Sequence, residues 1–103
     1  MARGNTLSLD CATLTGWAVA EEYNITDWGE IRLKDGELTL WRFLERIKDE
    51  YNITRIVAEN IFLGKNVKTF QRLANFHGVI CLFCQLNGQT DRNKFRLLLC
   101  WKR

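Results

Sequence analysis

One pattern constrains this chain more than any other. A helical stripe gives way, almost without a linker, to an apolar strand closed by an acid. Leu40, Phe43, Leu44, Ile47 and Tyr51 recur at helical spacing from Glu37 onward, with Arg42, Glu45, Arg46, Asp49 and Glu50 outside the stripe. Glu37 supplies an acid near the helix start, where the backbone dipole favours one. Ile53-Thr54-Arg55-Ile56-Val57-Ala58-Glu59 then follows, rich in branched residues. An earlier strand, with Leu7 and Leu9 alternating with smaller or polar residues, ends at Asp10. Strand, helix and apolar strand together predict a parallel pair buried on both faces. If the two strands are neighbours, Asp10 and Glu59 project from one carboxyl edge, where open α/β sheets bind ligands.

The remaining elements follow from turn signals. Trp17 to Ala20 is a second apolar run, joined to the first strand by a tight loop. After the polar Glu21-Glu22-Tyr23-Asn24, Ile25 to Leu33 reads as a third strand, with Ile31 and Leu33 on one face and Glu30 and Arg32 on the other. Lys34-Asp35-Gly36 is a turn. Asn60 to Lys65 reads as a loop, and Asn66 as the cap of a second helix. That helix carries the stripe Val67, Phe70, Leu73, Ala74, His77, Cys81, Cys84 and Leu86, and Asn87-Gly88 is its expected stop. Phe95 to Trp101 is a last strand. The order is β-β-β-α-β-α-β, in one domain over residues 1–103.

Charge narrows the partners. The net charge is +3, but residues 89–103 hold five Lys/Arg against one Asp, leaving −1 elsewhere. The basic character is thus a tail property, which permits nucleic-acid contact without demonstrating it. No run approaches membrane-spanning length. No long apolar stretch follows Met1 to Asn5, so the four cysteines are expected to be reduced, in a cytosolic protein. The Asn-Ile-Thr triplets at Asn24 and Asn52 fit a glycosylation pattern that matters only in secretion.

A carboxylate at a strand end beside apolar residues is costly to bury unless it meets a cation or a hydrogen-bond donor. Two such carboxylates offer hard oxygen ligands to Mg²⁺ or Mn²⁺. From spacing alone the opposing reading is the stronger: Asp10 serves a turn and Glu59 is an ordinary strand-end charge. Cys81, Cys84 and His77 on one helix outline a zinc cluster, but the pattern favours core cysteines and a buried or interface histidine. Lys65, Lys68 and Arg72 mark one side of the second helix's start, which fits phosphate contact or a merely solvated face.

Leu9-Asp10 followed by Thr15-Gly16-Trp17-Ala18-Val19 resembles the first motif of RuvC-type Holliday-junction resolvases. The run Ile56-Val57-Ala58-Glu59-Asn60-Ile61-Phe62-Leu63-Gly64-Lys65-Asn66 resembles the second, and Thr69, Leu73 and Gly78 fit the helix after it. The resemblance covers roughly residues 7–80. It implies a ribonuclease-H-like mixed five-stranded sheet, Mg²⁺-dependent hydrolysis by four acidic ligands, and a homodimer acting on branched DNA such as a four-way junction. Asp10 and Glu59 match the first two acids, as catalytic and metal-binding residues. Phe62 matches an aromatic that wedges against bases near the crossover. Lys65, Asn66, Lys68, Thr69 and Arg72 fall where the following helix would meet DNA.

The tail departs from the family. Its last two acids lie on a helix after the fifth strand, whereas here the only acid beyond Glu59 is Asp91, before that strand. The expectation is a domain lacking that C-terminal helix, through truncation or frameshift, with little cleavage of its own. A non-catalytic DNA-binding or dimerisation module of the same fold is the main rival. An actin-like phosphate-binding fragment, suggested by the first hairpin alone, is more remote.

Overall fold

The structure, a computed structural model, describes residues 4–33, 36–59, 67–91 and 96–100. Its elements are β1 (Asn5–Asp10), β2 (Leu14–Glu21), β3 (Asn24–Arg32), α1 (Glu37–Tyr51), β4 (Ile53–Glu59), α2 (Val67–Asp91) and β5 (Arg96–Cys100). They form one five-stranded sheet in the order β3-β2-β1-β4-β5. β1 runs antiparallel to β2 and parallel to β4, β2 antiparallel to β3, and β4 parallel to β5. This is the mixed α/β sheet expected from the element order.

The core forms where the pleat and the helical stripe meet. Leu7 and Leu9 of β1, Val19 of β2, and Ile53, Ile56 and Ala58 of β4 are buried against Leu40, Phe43, Leu44 and Ile47 of α1. The α1 stripe is therefore the one its spacing predicts, with Tyr51 half-buried at its end. Gly36 precedes the helix at φ +62°, a conformation that branched or bulky residues rarely adopt. Asn52 ends the helix in the left-handed conformation, and its N–H bonds the Lys48 carbonyl. Asn5 secures that end to β1: its Nδ2 donates to Tyr51 O at 2.7 Å and its N–H to Asn52 O at 3.0 Å. Asn52 thus has a capping role inside the triplet read above as a glycosylation pattern.

The second helix corrects two expectations. Its most deeply buried side chains are Phe76, Ile80, Phe83 and Cys84. Of the expected stripe, Phe70, Leu73, Ala74, His77 and Cys81 are only half-buried and Leu86 is exposed. Trp41 of α1 meets Phe83 edge-on, with ring centroids 5.2 Å apart, and this contact helps select the buried face. Nor does the helix stop at Asn87-Gly88; it continues to Asp91. Asn87 turns its Nδ2 back to Phe83 O at 2.8 Å, and a helical glycine costs only about 1 kcal/mol relative to alanine. The expected cap Asn66 lies outside the described residues. No helix among those described is long and apolar enough to cross a membrane.

Candidate functional site

The site is built at the carboxyl ends of the two central parallel strands. Leu9 pairs with Ala58, so Asp10 and Glu59 occupy the next register position on adjacent strands. Neighbouring strands lie about 4.8 Å apart, which brings the two backbone positions together across the sheet. Alternation explains Asp10's setting: Leu7 and Leu9 are buried while Ser8 and Asp10 are exposed. Across the antiparallel pair Asp10 faces Gly16. A Cβ built at Gly16 would come no nearer than 4.0 Å, and then only to Asp10 Cβ, so the carboxylate has open space beside it.

The loop between β1 and β2 is closed by a hydroxyl that the sequence reading did not single out. Thr15 is fully buried. Its Oγ1 donates to Ala12 O at 2.6 Å and accepts from Ala12 N at 3.2 Å. One side chain thereby satisfies both polar groups of a residue three positions earlier, a local Ser/Thr turn that a Thr beside a loop can signal. The loop is also tied to α2. Arg72 Nη1 donates to Thr13 Oγ1 at 2.6 Å across 59 positions of sequence.

Lys68 and Arg72 stand one helical turn apart and line a cleft of about 390 Å³ with Cys11, Ala12, Thr13 and Leu73. A second cleft, of about 340 Å³, continues past the same two cations along Gln71 and Asn75 toward Gly36 and Glu37. Both cations are exposed. The result is a carboxylate at a strand end, next in sequence to a cleft lined by Cys11, with Lys68 and Arg72 shared between that cleft and a second one. Such a pair of cations attracts phosphate.

The structure brings Asp10, Lys68 and Arg72 to this edge, with Glu59 at its backbone position and Thr69 in the first turn of α2. Phe62, Lys65 and Asn66 lie outside the described residues. The zinc reading finds no support: no group of three or more His, Cys, Asp or Glu among the described residues is arranged to hold a metal. His77 Nδ1 and Cys81 Sγ stand 3.7 Å apart, while burial, aided by the nearby Cys81, pushes the Cys84 thiol up to about 12. A thiol held protonated at neutral pH is a poor metal ligand. Cys84 is a core residue.

The donor chemistry of Asp10 fits a hard divalent cation. It is an exposed carboxylate, an oxygen donor of the type such ions take, and the same edge offers a second carboxylate position at Glu59.

No protein-family model matches the sequence, and no curated protein matches it. Solved structures do resemble it. Thermus thermophilus RuvC in complex with a Holliday-junction substrate superposes with a TM-score of 0.77 at 7% identity, covering 96% of this chain and 65% of that one. A second Thermus thermophilus RuvC structure gives 0.71 at 8% identity, covering 94% and 63%. The yeast mitochondrial Holliday-junction resolvase Ydc2 gives 0.68 at 11% identity, covering 95% and 50%. The chain thus spans half to just under two thirds of the proteins it matches. At these identities the likeness concerns fold alone, and with the strand order and helix placement described above it makes this chain a domain of the RuvC-type, ribonuclease-H-like fold.

Proposed function

We propose that this domain belongs to a Mg²⁺- or Mn²⁺-dependent endonuclease of the Holliday-junction resolvase type, acting on branched DNA. The observation that carries the reading is the shared register position of Asp10 and Glu59 beside the Lys68–Arg72 groove. The Holliday-junction substrate of the similar Thermus RuvC complex supports a four-way junction as the DNA class.

Asp10 and Glu59 would hold the cation. When bound, such an ion polarises a phosphodiester and lowers the pKa of a water nucleophile. The chain's own residues supply the rest. Thr15 and the Arg72–Thr13 bond fix the loop after Asp10, so the carboxylate is held in place before substrate arrives. Lys68 and the outer face of Arg72 meet the backbone phosphates, in a contact that does not require the metal. By their resemblance to the resolvase motif, Phe62, Lys65, Asn66 and Thr69 would be further DNA-contacting residues. A non-catalytic DNA-binding module would use the same groove.

A homodimer would bury the apolar residues left outside. Leu38, Leu82 and Leu86 on the helical layer are 52%, 50% and 46% exposed. Sedimentation equilibrium that finds only monomer at high concentration would remove this part of the reading.

The test uses the 103-residue chain with a four-way junction and a linear duplex of equal length, at several salt concentrations. Tighter, salt-sensitive binding to the junction is expected; equal affinity for both DNAs sinks the substrate class. Titration of Mn²⁺ by electron paramagnetic resonance checks the metal separately from cleavage. Asp10→Asn should weaken the ion at least about 100-fold, since even outer-shell changes at metal sites cost 10–100-fold. Unchanged Mn²⁺ binding in both Asp10→Asn and Glu59→Gln overturns the site.

A further inference from the structure

We propose that the free edge of β3 is a docking site for an extended, basic segment of a partner protein, which adds to the sheet as a strand beside Trp28–Arg32. The inference does not depend on the nuclease reading, because it concerns the far side of the sheet.

Three observations carry it. First, β3 is the terminal strand of the sheet, and among the described residues no strand lies beyond it. An edge strand presents outward N–H and C=O groups to any chain that can pair with them. Proteins usually blunt such edges with charged side chains, Lys above all, or with Pro, short length or bulges. β3 is nine residues long and contains neither Lys nor Pro; its charged residues are Asp27, Glu30 and Arg32. It has one bulge, where the register with β2 shifts between Val19 and Ala20. That bulge leaves Asp27 to Arg32 in unbroken pairing, so a regular stretch of edge remains.

Second, the apolar side chains around this edge are turned to solvent. Trp28 is 72% exposed, Ile25 63% and Tyr23 99%. A tryptophan this exposed gains nothing from folding, but it is the residue type that most often anchors a protein interface. Its position is held: Trp28 pairs with Ala18, and its backbone N–H is bonded by Asp27 Oδ1 at 2.9 Å. The neighbouring Asp27 is fixed in turn by the Tyr51 hydroxyl. The anchor therefore stands on a rigid strand, which lowers the ordering cost of binding.

Third, charge selects the occupant. Residues 21–32 carry Glu21, Glu22, Asp27 and Glu30 against Arg32, a net −3, while the chain as a whole is +3. The rest of the chain is thus +6, of which residues 89–103 supply +4, and this hairpin is an acidic stretch. Aromatic side chains set among phosphates would serve base stacking, but here the acids repel a phosphate backbone. The same field also disfavours a second copy of the same acidic edge lying alongside. Trp28 and Glu30 lie two residues apart on the same face of β3, so the field favours a segment that presents an apolar residue to Trp28 and a Lys or Arg to Glu30 from one face. Strand addition supplies affinity through the backbone and specificity through alternate side chains.

The probe is a capped, strand-length peptide with Val and Lys at successive positions of one face and Thr on the other, with a counterpart carrying Glu in place of Lys and a version N-methylated at alternate amides. Anisotropy of the labelled peptide gives affinity, and amide hydrogen exchange of the full chain locates it. The Lys/Val peptide should bind, and protect the outward amides of Glu30 and Arg32. The acidic and N-methylated peptides should each bind at least about tenfold more weakly, a difference of about 1.4 kcal/mol. Trp28→Ser should weaken the Lys/Val peptide by a similar factor, whereas Leu86→Ser on α2 should not. Because Trp28 is exposed, the variant is expected to fold, and circular dichroism with a thermal melt of Trp28→Ser reports this independently. Equal binding of the N-methylated peptide would mean charge attraction without strand addition and overturns the proposal. Protection of β3 by junction DNA, or by raising the concentration of the chain alone, would assign the edge to DNA or to a second copy and overturns it equally.

Discussion

The two turns that flank β2 are built in opposite ways. At its start, the Cys11–Thr13 loop is closed from within by the buried Thr15 and braced from outside by Arg72, and it borders a groove with two cations. At its end, the Glu22–Tyr23 turn carries Glu22 at φ 56° and Tyr23 almost fully exposed, with Glu21 just before it. One strand thus carries a pre-organised end, where two acids and two cations meet, and an acidic, open one. Under the two proposals, a small sheet keeps two kinds of partner apart, with phosphate at Lys68 and Arg72 and a basic peptide at the far hairpin.

The sharpest way to break this contrast is to remove the equivalent hydroxyl at each end. Thr15→Val leaves the Ala12 N–H and C=O without the partner they share and should cost about 1–3 kcal/mol. Thr26 also donates to a backbone carbonyl, Val19 O at 3.3 Å, but it is exposed, and Thr26→Val should cost less than about 0.5 kcal/mol. Chemical denaturation of both variants checks the pair. Equal losses would mean that burial at the first loop is not what holds it.

A related pair of glycines sits one residue apart in the same ladder. A Cβ at Gly29 would fall 2.9 Å from Trp17 Cζ2, against a rigid indole packed on Phe43 and Tyr51. Gly29→Ala should therefore cost about 1–3 kcal/mol through overpacking. Gly16→Ala meets only ordinary contact distance and should leave stability nearly unchanged while crowding Asp10. Thermal melts separate the two.

Charge substitutions sharpen the comparison with smaller effects. Lys68→Gln should reduce the slope of log affinity against log salt for DNA by about 1, as expected for one lost phosphate contact. Glu30→Gln at the opposite end should leave that slope in place. Binding isotherms over a salt series measure both.

The smallest effect is alkaline. The hydrogen bond to Asp27, with lesser contributions from burial and from the charges of Asp27 and Glu50, raises the Tyr51 hydroxyl above its usual value of 10.0. The folded state then holds the proton more tightly than the unfolded one. The stabilisation is complete below the unfolded value and is lost as pH rises through the folded one. Melts of the parent chain and Tyr51→Phe across this range should converge at high pH.

Much of the fold was legible because it is local. The α1 stripe, the bounds of β4 and the placement of Asp10 at a strand end follow from the helical and strand periods, which a single stretch of sequence carries. The site was legible in part, as the two acids, Lys68 and Arg72. Thr15 was missed because a hydroxyl bonded three residues back leaves only a weak local signal.

What the sequence determined by itself was the order of the elements and the acids at the ends of the two central strands. Tertiary structure decided which side of α2 is buried. That helix is apolar on several faces, so Phe70, Ala74, His77 and Cys81 offer as plausible a stripe as Phe76, Ile80 and Phe83, and contact with Trp41 helps decide between them. It also decided that Arg72 reaches Thr13, and that acids and aromatics collect at one edge of the sheet while cations collect near another. Such outcomes depend on which distant residues the sheet brings together, and a periodicity along the chain has no term for a partner 59 residues away.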